Sequence, residues 1–160
     1  APLASIVTYD FPARDGQPPL RAVWYDGGLR PATPRHLEGQ PLPDEGTLYV
    51  GEKGALLHTW AGLKVFPEAL GKRLESVPRT LPRRGGTWSE WAEACRGGEP
   101  AGCNFNWAEP LTEIVLLGNI AIRAGKLLEW DAVQGRFTNS PDANRHLHDD
   151  YQNGWSLETV

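Results

Sequence analysis

The residues best suited to chemistry crowd into one short stretch, Cys103-Asn104-Phe105-Asn106-Trp107. An asparagine amide offers both donors and an acceptor. Placed on a loop that leads into a helix, Asn104 and Asn106 would be positioned to bind sugar hydroxyls. An indole such as Trp107 would stack on the apolar face of a sugar ring. The competing reading of the same asparagines is loop closure and helix capping. Among the seven tryptophans, Trp24 is the best stacking candidate, because it lies on a strand, whereas Trp88 and Trp91 are expected in the core. The substrate-binding set read from the sequence is therefore Asn104, Asn106, Trp107 and Trp24. No residue is assigned a catalytic, cofactor-binding or metal-binding role.

Other reactive groups are more scattered. In His146-Leu147-His148-Asp149-Asp150, a helix would put His146 and Asp150 on one face and His148 on another, and two ligands do not make a metal site. His36 and His58 are isolated and read as structural. Cys95 and Cys103 flank the turn Arg-Gly-Gly-Glu-Pro-Ala-Gly. A bridge requires their Cα atoms within about 7 Å; the expectation is two buried thiols. The glycines of Trp24-Tyr-Asp-Gly-Gly-Leu-Arg-Pro31 are not a phosphate loop, since no Lys-Ser/Thr follows them.

The element expected to position these groups is a helix within Cys103–Trp130. Leu111, Ile114, Val115, Gly118, Ala121, Ile122 and Gly125 recur at helical spacing, and Leu116, Leu117 and Ile120 fill the other side. A helix apolar nearly all round is expected to be covered on most faces, with Asn119 hydrogen-bonded inside. Pro110 suits the first turn, Glu109 and Glu113 complement the positive end of the dipole, and Gly125 suits the close. Gly118 points to a close approach of another backbone.

Around it, Ser5–Phe11 and Leu20–Asp26 read as an antiparallel strand pair joined through Asp15-Gly16. Residues 46–51 and 55–59 form a hairpin with Gly54 at positive φ, and Leu63–Phe66 is a further strand. Pro67–Glu75 is a helical turn. Thr87 and Glu90 match a capping box at the start of a helix to Arg96, with Trp88, Trp91, Ala92 and Cys95 on its buried stripe. Leu127–Asp131 pairs with Arg136–Thr138, and a last helix runs from about Pro141 to Tyr151. The sum is an α+β domain over residues 1–160, an open, mainly antiparallel sheet packed with helices.

Composition narrows the classes. The chain has 160 residues and a net charge of −4, with no basic stripe to bind nucleic acid and no apolar segment of membrane-spanning length. It opens on Ala-Pro-Leu-Ala-Ser, with the expectation that it is a piece of a longer or processed polypeptide.

Taken in order, VTYDFPAR, WYDGGLRP, LYVGEKGALLH, EWAEACRGG, CNF, PLTEIVLLGNIAIRAGKLLEWD, FTN, PDAN and YQNGW resemble the C-terminal portion of bacterial oxidoreductases of the Gfo/Idh/MocA family, in the branch often exported to the periplasm. The resemblance covers almost the whole chain. It implies a C-terminal α+β domain on a large, mainly antiparallel open sheet. One face would border the substrate pocket and another would mediate homo-oligomerisation. It also implies an NAD(P)-binding Rossmann domain elsewhere in the whole protein, with sugars or cyclitols as substrates. The dinucleotide fingerprint, the Glu-Lys-Pro motif and the aspartate-to-histidine segment of the family do not occur here, so the chain by itself is expected to be inactive. Two other readings stand beside this one, a tryptophan-rich carbohydrate-binding module and a structural dimerisation domain.

Overall fold

A computed structural model describes residues 2–37, 39–149 and 151–154. The fold is mixed α+β, with antiparallel, open sheets. Its elements are β1 (Ile6–Phe11), β2 (Leu20–Tyr25), a 3-10 turn (Arg35–Leu37), β3 (Thr47–Val50), β4 (Ala55–Thr59), β5 (Gly62–Phe66), α1 (Glu68–Leu74), α2 (Thr87–Cys95), α3 (Phe105–Ala124), β6 (Trp130–Asp131), β7 (Arg136–Phe137) and α4 (Pro141–Asn144). The strands fall into three small sheets, β1-β2, β3-β4-β5 and β6-β7. Contacts group the chain into two units. One is residues 1–6 with 25–85, and the other is residues 7–24 with 86–160.

The first unit is built on the β3-β4-β5 meander. Thr47 pairs with His58 and Val50 with Ala55; Ala55 then pairs with Phe66 and Thr59 with Gly62. Residues 51–54 close the first hairpin, with Gly51 N–H donating to Gly54 C=O at 2.9 Å. Gly54 does not take the positive φ expected of it. It is needed for space instead, because a Cβ there would fall on the Phe66 carbonyl oxygen and lie 2.7 Å from Leu70 Cδ2. That clearance lets α1 sit against the meander. Leu37, Ala55, Leu57 and Phe66 form the core, with Leu42 and Leu48 packed against it. At the unit's other end, Ser5 N–H and Oγ donate to the two Asp26 carboxylate oxygens at 2.7 and 2.8 Å.

The second unit holds the β1-β2 hairpin and the helices α2 to α4. Asp15 and Gly16 both have positive φ, 50° and 75°, which is the two-residue turn whose twist matches a hairpin. Arg14 and Gln17 bridge across it. Val7, Tyr9 and Phe11 alternate as the half-buried side of β1. Tyr9 lies over Gly118 of α3, where a Cβ would fall on its hydroxyl oxygen. The close approach foreseen at Gly118 is thus to a tyrosine ring rather than to a backbone. Burial there raises the Tyr9 phenol pKa above its ordinary value of 10.0.

Helix α3 begins earlier than the sequence suggested. Asn104 is the N-cap and Pro110 lies inside the helix. A proline at that position removes one backbone hydrogen bond, and the helix continues because both flanking turns are intact. Gly125 ends it at φ 62°, its N–H donating to Ala121 C=O at 2.9 Å. Ile120, Phe137 and Ala143 form the second core, with Leu117, Leu128, Trp130 and Leu147 packed against it. Trp130 meets Phe137 edge-on at 5.1 Å and donates its Nε1–H to Glu113 Oε1 at 3.0 Å.

The expectation of an all-round covered α3 fails. Leu111, Val115 and Leu116 are exposed, as is Asn119. Only Gly118 and Ile120 are buried along its length. The last helix is also shorter than expected. After Asn144 the chain tightens through Arg145, His146 and Leu147, each donating to the carbonyl three residues back. Large apolar side chains are uncovered in both units, among them Trp60 and Leu63 in the first and Trp88 and Leu111 in the second.

Candidate functional site

The first turn of α3 brings Asn104, Asn106 and Trp107 together. The Asn104 carbonyl oxygen Oδ1 accepts from Asn106 N–H at 3.0 Å, and its Nδ2 donates to Ala101 C=O at 2.9 Å. Both ends of this amide are thus engaged in capping the helix and closing the loop, which leaves a carbonyl lone pair and one N–H for any ligand. Asn106 and Trp107 point out from the helix surface, Trp107 at 72% exposure. Trp24 is also exposed, but on β2.

The exposed aromatic surface of this unit is larger than the sequence suggested. Trp88 and Trp91 of α2, expected in the core, are 84% and 62% exposed. The reason lies in the start of α2. Gly86, not Thr87, is its N-cap, and no side chain caps it. Glu90 is drawn away from the capping box, because its carboxylate accepts from Gly102 N–H at 2.6 Å. Helix α2 therefore turns its Glu90 side, rather than its tryptophan side, to the returning chain. Gly97 at φ 84° then closes α2, with Gly97 N–H on Ala94 C=O and Gly98 N–H on Glu93 C=O, a Schellman closure.

The same anchor decides the cysteines. Cys95 and Cys103 are free and exposed, not buried. Cys103 follows Gly102, which is held at Glu90. Glu90 lies five residues before Cys95, about 140° around the helix at 100° per residue. The two thiols are therefore placed on different sides of α2.

On α3, Trp107, Leu111 and Val115 follow one another at four-residue spacing and form a single line. Leu111 and Val115 are 63% and 53% exposed. Ile122 continues the line past Gly118. This stripe was legible as a helical repeat, but its exposure was not.

In the first unit, a cavity of about 520 Å³ opens between the 51–54 turn and α1. Tyr49, Val50, Leu56, Val65, Leu70 and Leu74 line it, with Glu52 and Lys53 at the rim. None of the substrate-binding residues read from the sequence lies there. Its only signal was the unpaired apolar face of a short helix.

The loop after β2 does not fit a dinucleotide. Gly27 has φ 64°, and a Cβ there would fall on Ala4. That glycine makes room for Leu3 and Ala4, and among the described residues only the three-residue 3-10 turn Arg35–Leu37 stands between this loop and β3, too short to act as the helix N-terminus of a pyrophosphate site. Among the described residues, no group of three or more His, Cys, Asp and Glu is placed to hold a metal. Asp150, the second member of the His146 pair, lies outside the described residues, as does Trp155. No described helix is long and apolar enough to cross a membrane.

The motifs Phe137-Thr-Asn139 and Pro141-Asp-Ala-Asn144 are structural clamps. Asn139 accepts from Glu129 N–H at 3.0 Å and donates to Leu127 C=O at 3.1 Å. Asn144 likewise accepts from Phe137 N–H and donates to Phe137 C=O. Buried Ser140 caps α4 by accepting from Ala143 N–H. Comparison with protein-family models, curated proteins and solved structures finds no match to this chain.

Proposed function

We propose that this chain is the substrate-side and assembly part of an NAD(P)-dependent oxidoreductase acting on sugars or cyclitols, and is inactive by itself. The observation that carries the proposal is the bare α3 line of Trp107, Leu111 and Val115. An apolar helix face of this kind is costly to leave in water and fits a surface that another polypeptide covers. The ordered motifs that resemble the Gfo/Idh/MocA C-terminal portion name that polypeptide as the nucleotide-binding half. A copy of this chain takes its place when that half is absent. Asn106 and Trp107 then sit at the rim of the covered face, where a sugar ring meets an indole and an amide.

The test is a pair of titrations followed by tryptophan fluorescence. NADH and NADPH are expected to leave the chain's emission unchanged beyond optical absorption, since the G-x-G-x-x-G fingerprint does not occur in its sequence. Saturable binding of either by this chain alone would overturn the reading.

A second reading, a carbohydrate-binding module, is favoured by the exposure of Trp24, Trp60, Trp88, Trp91 and Trp107. Saturable quenching by mono- or disaccharides that persists in the monomer and is lost in Trp107→Ala would support it over the first.

A further inference from the structure

The sequence contains two dibasic pairs, Lys72-Arg73 and Arg83-Arg84, and the structure separates them. Lys72 and Arg73 are in the last turn of α1, with Lys72 Nζ 2.8 Å from Glu68 Oε1 one turn back. Arg83 and Arg84 lie in the segment between α1 and α2, which has neither helix nor strand from Pro78 to Gly86. Every residue of that segment is exposed. Pro78 and Pro82 hold it out of a helix, and Gly85-Gly86 place no side chain on the far side of the pair. An endoprotease binds its substrate as an extended strand, so a pair in a helix must first unwind, at a local unfolding cost. A pair in an exposed irregular segment needs no helix unwound.

We propose that Arg83-Arg84 is a processing site for an endoprotease of dibasic specificity. Water adds across the Arg84–Gly85 peptide bond, giving an Arg84 carboxylate and a Gly85 amine, and the protease is regenerated. The bond lies one residue before the boundary between the two units. The core of Leu37, Ala55, Leu57 and Phe66 lies wholly before it, and the core of Ile120, Phe137 and Ala143 wholly after it. Among the described residues, no strand pair spans it either. A cut there leaves every sheet and both cores intact.

The experiment treats the full chain in native buffer with a dibasic-specific endoprotease and identifies the new termini by mass spectrometry. The expected first product pair ends at Arg84 and begins at Gly85, and it forms more than tenfold faster than any cut after Arg73. Far-UV circular dichroism is expected to be unchanged by the nick. Arg84→Gln should slow the cut more than tenfold, whereas Arg73→Gln should leave its rate unchanged. Cutting after Arg73 first, or at equal rates at the two pairs, overturns the proposal. So does a native chain that resists enzyme levels sufficient to cut the urea-unfolded chain after Arg84.

Discussion

In the meander unit, β4 lies between two partners, Leu37 closes over it, and α1 rests on β5. In the helical unit, α3 is the longest element of the fold and buries two residues along 20. The meander thus finds its cover within its own sequence neighbourhood, because each hairpin hands the next strand to the last. The long helix has no such neighbour. β1 touches it at Gly118, and β6-β7 with α4 pack near Ile120. It carries Trp107, Leu111 and Val115 outward. The contrast shows that helical spacing identifies an apolar stripe without saying which molecule covers it.

The largest expected effects are in the meander. Phe66→Ala removes the ring against which Ala55 and Leu57 pack. It should cost about 3–5 kcal/mol, read as a fall in the urea midpoint and in hydrogen-exchange protection of β4. A loss below 1 kcal/mol would break the contrast, because it would mean that the meander core is not what holds its strands.

Gly118→Leu is next. It drives a side chain into Tyr9 and should cost about 1–3 kcal/mol by overpacking, again by urea unfolding. Asn104→Ala should cost about 1 kcal/mol through loss of the cap. If Asn104→Ala instead left stability unchanged and abolished sugar binding, the residue would be a ligand rather than a cap. Trp88→Ser, on the exposed side of α2, should change the stability of the single chain by less than about 0.5 kcal/mol.

Tyr9 supplies a pH-dependent arm. Its raised pKa means that the folded state keeps the phenol proton at a pH where the unfolded chain has begun to lose it. Stability contributed by the neutral phenol is thus complete below pH 10 and is lost as pH rises through the raised folded value. Tyr9→Phe should flatten this fall in the unfolding free energy above pH 10, measured by urea titration at each pH.

Much of the fold was legible in local chemistry. Asp15-Gly16, the β-branched strands and Gly125 each state a local preference that the structure keeps. The capping box at Thr87-Glu90 was not kept, because Glu90 found a stronger partner in the Gly102 N–H across the loop. The α3 start was misplaced because Pro110 looks like a first-turn residue, whereas Asn104 outbids it by capping with its side chain. Of the candidate site, the clustering of Asn104, Asn106 and Trp107 was readable from adjacency. The exposure of Trp88, Trp91 and both cysteines was not, since it depends on which side of α2 the return loop is pinned to.

The most direct test of the assembly account is static light scattering of the purified chain across concentration, beside the double variant Trp107→Glu, Val115→Glu. The account expects the unaltered chain to associate to a mass above its own 17.6 kDa, and the double variant to return to one chain with its helical signal intact. A single-chain mass at every concentration, unchanged by the two substitutions, would contradict it.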